Sequence, residues 1–205
     1  MNHMTKYIFV LFLSAIFGFF SGCGKKNGGT DPPVVDIDQL LKDGWAAFES
    51  QDYSTALEAF DAVINEERDN ADAYNGLGWS FLLLDKLDDA STSFDAGGTK
   101  PGASADVFAG NAFTLNALKK YDRSIVEISK ASTKAPDWSF IHKPGLDIND
   151  LQVLLAENYF LLGKFTESLS AILKLNSGFT ADPETLDGQT SMAQEIERLK
   201  LAETP

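Results

Sequence analysis

The order of apolar and polar positions repeats along most of the chain. Shifting the sequence by 34 residues brings Gly44 onto Gly78 and Phe60 onto Phe94, and a third copy follows at the same step. The fourth copy is displaced from the third by 44 residues, so ten residues have been inserted between them. A period of this length predicts a stack of helix pairs, because one pair alone cannot bury its apolar face.

Small residues occupy equivalent positions in all four copies and indicate where the two helices of a pair approach closely. On the first helix of each pair they are Gly44, Gly78, Ala112 and Ala156, and on the second helix Ala56, Ala90, Ser124 and Ser168. A larger side chain at these positions would hold the helices apart. The aromatic or aliphatic residue four positions further along the second helix lies on the same face, and we expect it to pack against the next pair.

The second copy carries the fullest motif. It reads Tyr74-x2-Leu77-Gly78-x2-Phe81 and then Ala90-x3-Phe94, with Pro101 near its end. This pattern resembles the tetratricopeptide repeat (TPR), whose units are pairs of antiparallel helices. The resemblance implies an all-α fold, an α-solenoid of four TPR helix pairs followed by a C-terminal capping helix. The TPR array would cover 37–182, with units 37–70, 71–104, 105–138 and 149–182, an inserted loop 139–148, and the capping helix in 183–205.

The segment after the fourth copy predicts this capping helix independently. Met192, Ile196 and Leu199 fall at helical spacing, and the residues between them are mostly polar. One face of such a helix would cover the last pair, and the other face would be solvated.

The first 22 residues differ from the rest. Lys6 gives a weakly positive start, and residues 7–20 form a stretch of fourteen almost entirely apolar residues. That length suits the core of a signal peptide and is too short to cross roughly 30 Å of hydrocarbon as a helix. The stretch leads through Ser21 and Gly22 into Cys23, the only cysteine of the chain.

These residues resemble a bacterial lipoprotein signal, in which small residues precede an acylated cysteine, although Phe20 replaces the usual leucine. The resemblance implies that residues 1–22 are a signal peptide and that 23–36 comprise the lipidated Cys23 and a flexible tether. It implies a protein of the bacterial cell envelope, bound to a membrane by fatty acyl chains such as palmitate and facing the periplasm. Gly24 stands where an aspartate can retain such proteins at the inner membrane, which favours the outer membrane. The alternatives are an ordinary secretory signal, or a wrongly assigned start of the chain in which Cys23 is a buried thiol.

Composition excludes several kinds of function. The chain has 205 residues, and its 30 acidic against 17 Lys and Arg residues give a net charge of −13. An acidic chain does not neutralise a phosphate backbone, which argues against nucleic acid as a partner. A single cysteine excludes an internal disulfide and a thiolate zinc site.

Acidic residues recur at the second position of each first helix. They are Asp38, Asp72, Asp106 and Asp150. A row of carboxylates can suggest a cation site, but a carboxylate in the first turn also interacts favourably with the helix dipole, by about 0.3–1 kcal/mol. We adopt the second interpretation and predict no metal site.

Catalytic residues are scarce after the predicted signal. His142 is the only histidine there, so a Ser-His-Asp or Cys-His arrangement would depend on it. It lies in the inserted loop beside Pro144 and Gly145. A loop histidine without a catalytic role is the simpler interpretation, and we predict no enzymatic activity, no catalytic residue and no cofactor.

Aromatic and amide side chains of the first helices form the candidate binding site. In TPR proteins, partner contacts come mainly from first-helix positions that face the concave surface. Carried onto this chain, these positions give the candidate groove residues Trp45, Phe48, Asn75, Trp79, Leu82, Phe113, Asn116, Glu157 and Phe160. Rigid rings with amides between them suit the capture of a peptide. Alternatively, some of these rings pack against a neighbouring helix, or the C-terminal helix fills the groove.

The inserted loop offers a second candidate contact surface through Trp138 and Phe140. Together, these features predict a non-catalytic, membrane-anchored scaffold or assembly factor that binds a peptide or protein segment of the cell envelope in the concave TPR groove. The alternative is a surface lipoprotein that binds a small ligand or glycan, with Trp45 and Trp79 as stacking platforms.

Overall fold

The computed structural model describes residues 35–202, which form nine α-helices. The first eight form four antiparallel pairs, and each pair packs against the next. The bounds are α1 Ile37–Glu49, α2 Tyr53–Glu66, α3 Ala71–Leu83, α4 Leu87–Gly98, α5 Ala105–Ala117, α6 Tyr121–Lys134, α7 Ile148–Leu161, α8 Phe165–Leu175 and α9 Leu186–Ala202. The first helices of successive pairs (α1, α3, α5 and α7) also contact one another, so they line the inner, concave face. The predicted all-α solenoid of four pairs is confirmed.

The close approaches predicted from the small residues are present. A Cβ atom added to Gly78 would lie 2.5 Å from the ring of Phe94, and the same ring lies against Gly110 of the next pair. Phe60 packs in the same way against glycines of the first and second pairs. Both phenylalanine side chains are buried. Each therefore fills the space between its own pair and the next one, as the four-residue spacing predicted.

In the third and fourth pairs, a serine replaces the small alanine of the second helix and adds a hydrogen bond. Ser124 Oγ donates to the carbonyl oxygen of Ala112 at 2.7 Å, and Ser168 Oγ donates to that of Ala156 at 2.8 Å. All four residues are buried. The small side chain preserves the close approach, and its hydroxyl bonds to the backbone of the facing helix.

The turn inside each pair contains one residue with a left-handed backbone. Gln51, Asp85 and Lys119 have φ angles of 66°, 57° and 59°, and Gly163 has a φ angle of 71° in the fourth pair. Side chains other than glycine adopt this region at a steric cost. In the first three pairs, the packing of the two helices therefore imposes a left-handed turn residue, although the residue itself prefers a negative φ angle.

The last helix, α9, covers the end of the array. It contacts α7 and α8 and buries Met192, Ile196 and Leu199 there, which confirms the predicted capping helix. Glu195 is also buried, and it accepts hydrogen bonds from the Arg198 guanidinium. These bonds hold the pKa of Glu195 below its ordinary value, although burial opposes them.

The predicted anchor lies outside the described residues. The signal peptide 1–22, Cys23 and the tether up to residue 34 all precede the part of the chain that the structure describes. Within residues 35–202, no helix combines the length and the apolar character needed to cross a bilayer. Lipidation at Cys23 therefore stays a prediction from the sequence motif.

Candidate functional site

The inserted segment fills the concave face of the first two helix pairs. Residues 138–147, which we call the insertion, lie between α6 and α7. The ring of Phe140 stacks on Trp79 of α3, with 4.3 Å between centroids, and lies 6.0 Å from both Trp45 and Phe48 of α1. Phe140 is only 1% exposed. The groove therefore already holds an aromatic side chain from its own protein.

His142 makes the second contact of the insertion with the groove. Its imidazole lies parallel to the indole of Trp45, with 3.7 Å between centroids, and its Nδ1 is 2.7 Å from Glu49 Oε1. Asp38, Asp72 and one cation, Lys42, line the same shallow cavity, so that with Glu49 the carboxylates outnumber the lysine. An aromatic face with carboxylates around it favours a positive charge at this place.

Trp138 makes the third contact. Its Nε1 donates to Asp106 Oδ1 at 2.7 Å, while Ser104 Oγ donates to the other carboxylate oxygen at 3.3 Å. Trp45 Nε1 makes a similar bond to Asp72 Oδ2 at 3.1 Å. All of the predicted first-turn acids do lie in first turns. The two in the middle pairs have a further role that the helix-dipole interpretation omitted, because they hold indole groups on the concave face.

The insertion occupies an acceptor that the repeat would otherwise offer to Trp79. Trp45 precedes its acceptor Asp72 by 27 residues, and Trp79 precedes Asp106 by the same number. Asp106 accepts from Trp138 instead, and the buried Trp79 Nε1 has no hydrogen-bond partner among residues 35–202. A buried donor in this state costs about 1–3 kcal/mol.

Asn75, one turn before Trp79 on α3, is also incompletely bonded. Its Oδ1 is buried and has no partner within the described part of the chain. The ring of Phe140, which stacks on Trp79, carries no polar atom that could accept from the indole N–H. The insertion therefore fits the aromatic part of the groove well and its polar part poorly.

The insertion forms hydrogen bonds within itself. Phe140 N donates to the carbonyl oxygen of Leu146 at 2.9 Å, and Ser139 and Asp147 form an antiparallel bridge. At its end, Asp147 and Asp150 form a reciprocal cap at the start of α7. The segment is thus a small closed loop that presents side chains to the groove.

The structure divides the predicted site residues into a covered and an open group. The covered groove residues, all buried, are Trp45, Phe48, Asn75 and Trp79. The half-buried ones are Leu82, Phe113, Asn116, Glu157 and Phe160. Trp138 and Phe140 were expected to form a separate exposed contact surface, but both are buried in the groove. Burial is favoured because it removes two large apolar rings from water. Of the two predicted alternatives, packing of some rings against a neighbouring helix is present, since Trp45 lies 4.9 Å from Phe60 of α2 and Trp79 lies 5.8 Å from Phe94 of α4. The C-terminal helix does not fill the groove, since α9 lies at the end of the array and the occupant is the insertion.

The open part of the concave face lies between α5 and α7. A cavity of about 350 Å³ is lined there by Phe113, Asn116, Asp150, Val153, Leu154, Glu157 and Lys200. The ring of Phe113 lies 6.2 Å from that of Trp79, so the open part continues directly from the covered part.

Charged groups at the rim of this cavity are paired. Lys200 Nζ donates to Glu157 Oε1 at 2.7 Å and to Glu197 Oε1 at 3.3 Å. Partial burial works against the charge of Lys200, but the hydrogen bonds and the two carboxylate charges outweigh it and raise the lysine pKa. The open part thus combines an apolar floor with polar groups at its edge.

Two residues of the insertion, Trp138 and His142, act on the pKa of Asp106. Burial raises the pKa of Asp106 above its ordinary value, and the charge of Asp72 acts in the same direction. Hydrogen bonds from Trp138 and Ser104 and the charge of His142 oppose this rise. The folded protein therefore binds the Asp106 proton at a higher pH than the unfolded chain does.

Asp106→Asn is expected to change how stability depends on pH. The stabilising contribution of Asp106 protonation is fully present below the unfolded pKa and is lost as the pH rises through the folded pKa. Asparagine keeps an acceptor for Trp138 and removes the ionisation. The free energy of unfolding of the variant minus that of the wild type should therefore increase from about pH 4 to about pH 7. Urea denaturation at several pH values measures this difference in free energy of unfolding, and Asp88→Asn, at an exposed position, is the control. A variant-minus-wild-type difference that falls as the pH rises would contradict the prediction.

Several groove residues were missed by the sequence analysis. Glu49, Asp72, Asp106 and His142 all take part in the contacts described above. The 27-residue spacing from tryptophan to aspartate, present twice in the chain, is a signal that could have identified the two aspartates. No comparable pattern marks Glu49 or His142.

Solved structures resemble this chain, whereas no protein-family model and no curated protein sequence matches it. A crystal structure of MamA aligns with a TM-score of 0.59 at 14% identity over 82% of this chain and 85% of MamA. YrrB, a TPR protein with an unusual peptide-binding site, aligns with a TM-score of 0.63 at 14% identity over 81% of this chain and 87% of YrrB. The fold is that of a TPR solenoid. PilF of Pseudomonas aeruginosa aligns with a TM-score of 0.58 at 15% identity, over 82% of this chain and 68% of PilF.

Proposed function

We propose that the protein is a non-catalytic scaffold or assembly factor that binds a peptide or protein segment on the concave face of its TPR solenoid. The observation that supports the proposal is the insertion itself, a segment of this chain that packs in the groove through aromatic and charged side chains. The open cavity beside it offers further room for a partner. The similarity in fold to YrrB, which has a peptide-binding site, supports this choice.

We further propose that Cys23 anchors the protein to a membrane of the bacterial cell envelope. The support is the run Ser21-Gly22-Cys23 after a short apolar stretch, and Gly24 favours the outer membrane. Acyl chains on a cysteine hold a protein at a bilayer through about 0.8 kcal/mol for each buried methylene group. The scaffold would then present its groove to envelope proteins near that membrane.

The groove supports a small-ligand or glycan site less well. Stacking of a sugar ring needs a free indole face, and the insertion places His142 on Trp45 and Phe140 on Trp79. These contacts favour a peptide partner over a glycan.

A photo-crosslinking phenylalanine derivative at position 113 tests the proposal in the full-length protein in intact cells. Phe113 lines the open cavity, and an aromatic analogue fits there with little change. We expect discrete protein adducts that mass spectrometry maps to one continuous segment of the captured protein. The same derivative at Val126, which is exposed on α6, is the matched control and should give no such adduct. Identical adducts from both positions would contradict a specific groove.

The anchor has its own test in the same cells. Cys23→Ala is expected to release the protein from the membrane fraction and to reduce the adducts from position 113 about tenfold or more, since anchoring concentrates it beside its partner. Retention of Cys23→Ala in the membrane fraction would contradict lipid anchoring while leaving the groove proposal intact.

A further inference from the structure

The insertion has the features of a replaceable occupant. It contacts the groove through Trp138, Phe140 and His142, and the partly buried Leu146 packs against the same core. Its backbone hydrogen bonds described above close the loop on itself. A segment held by a few side chains can leave without breaking the hydrogen bonds of any helix. Its removal would uncover Trp45 and Trp79, the two largest apolar surfaces of the groove.

Departure of the insertion would let one indole hydrogen bond to Asp106 replace another. In the covered state Asp106 accepts from Trp138, and Trp79 Nε1 is buried without a partner among the described residues. Trp45 and Asp72, at the equivalent spacing, do form the bond that Trp79 lacks. By analogy with Trp45 and Asp72, release of Trp138 would leave Asp106 able to accept from Trp79, and this bond would offset part of the lost contact.

The chemistry of the insertion indicates what can replace it. The cluster of Trp45, Phe48 and Trp79 accepts an aromatic ring. Two residues further along, His142 lies over the indole of Trp45 and beside the carboxylate of Glu49. A lysine or arginine at this second place would meet the same indole face and the same carboxylates with a permanent charge.

A partner has a route to this place. The open cavity around Phe113 adjoins Trp79, so a segment can bind there first while the insertion is still in the groove. From that position it can replace the insertion one side chain at a time. The two parts of the concave face then act as one continuous groove.

We propose, building on the proposed function, that the insertion occupies the site to which the partner segment binds. The partner segment carries an aromatic side chain followed two residues later by a basic one, and it binds by displacing Phe140 and His142 from the groove. The tethered insertion acts as a competitor at an effective concentration in the millimolar range, which weakens the binding of every free segment.

A fluorescent peptide with the sequence of residues 136–148, thirteen residues long, is the probe for this proposal. Its binding to the purified full chain in detergent micelles is followed by fluorescence anisotropy. The chain with Phe140→Ala has an emptied aromatic site, and we expect it to bind the peptide at least about tenfold more tightly than the wild type does. Ile141→Ala, at a position 75% exposed on the outer side of the insertion, is the matched control and should bind like the wild type.

Changes in the peptide test the chemistry of the partner. Against the Phe140→Ala chain, a peptide with Phe140→Ala or His142→Asp should lose about tenfold or more in affinity, and one with His142→Lys should bind at least as tightly. Equal binding of all these peptides would overturn the proposed recognition pattern. Equal binding of the original peptide by the wild-type and Phe140→Ala chains would overturn the competition.

Two further measurements guard against a destabilised variant. His142→Glu in the chain leaves the core ring in place, sets a like charge against Glu49, and should tighten peptide binding about threefold or more. In the ¹⁵N-labelled wild type, saturating unlabelled peptide should expose the indole N–H of Trp138 to exchange with water; continued protection would overturn displacement. If position 113 gives discrete adducts but the peptide experiments fail, the proposed scaffold function stands and displacement of the insertion is refuted. If the peptide experiments succeed but position 113 gives no discrete adducts, displacement stands and only the proposed partner in the cell envelope is refuted.

Discussion

Phe94→Ala is expected to lower the free energy of unfolding by about 3–5 kcal/mol. The ring is 1% exposed, lies edge-on to Trp79 with 5.8 Å between centroids, and touches the backbones at Gly78 and Gly110. Two of these neighbours are glycines on different helix pairs, so no side chain there can move into the vacated space. The cavity would therefore persist at the interface that joins the second pair to the third.

The weakened interface should lower the stability of the whole array, because the stability of stacked repeats is roughly a sum of units and their interfaces. Urea unfolding followed by circular dichroism measures the free energy of unfolding. Val126→Ala is the control, since this side chain is 52% exposed on α6, and we expect its effect to stay within about 0.5 kcal/mol. A loss of less than about 1.5 kcal/mol for Phe94→Ala would mean that the pairs close over the cavity after all.

The same contacts explain why the fold could be predicted from sequence. Gly78 and Phe94 are 16 residues apart, within one helix pair, and their spacing recurs in the neighbouring copies. Such short-range, repeated constraints determine which faces of the helices meet. Ser124 and Ser168, which form hydrogen bonds in the last two pairs, stand at the same small-residue positions of the repeat. The repeat pattern alone therefore predicted their place between the helices.

The position of the insertion could not be predicted in this way. It occurs once, has no period, and contacts α1 nearly a hundred residues earlier in the chain, where His142 and Glu49 are 93 residues apart. Which surface a single loop covers depends on the shape that the assembled helices create. The sequence analysis thus identified both the groove rings and the ring of Phe140 but could not show that they meet.

The fourth pair is joined to the third by a buried chain of polar side chains. Asn116 Nδ2 donates to Asn158 Oδ1 at 2.8 Å, and Asn158 Nδ2 donates to Ser124 Oγ at 2.8 Å. The Ser124 hydroxyl in turn donates to the backbone of Ala112. Asn158 therefore links α7 to both helices of the preceding pair, at the point where the insertion interrupts the regular repeat.

Asn158→Ala is expected to lower the free energy of unfolding by about 2–4 kcal/mol, because it opens a small cavity and removes two hydrogen bonds. Asn116 would keep only its longer bond to Glu157 Oε2, at 3.4 Å, and the buried Ser124 Oγ would keep only its bond to Ala112. Asn149→Ala, exposed in the first turn of the same helix, is the matched control and should change stability by about 0.5 kcal/mol or less.

The weakened interface in Asn158→Ala should also let α7, α8 and α9, which have their own apolar cluster, unfold separately from the first three pairs. Urea unfolding followed by both circular dichroism and tryptophan fluorescence distinguishes the two processes, since the tryptophans Trp45, Trp79 and Trp138 all lie outside those last helices. Coincident curves with an unchanged midpoint would show that the polar chain contributes little to joining the pairs.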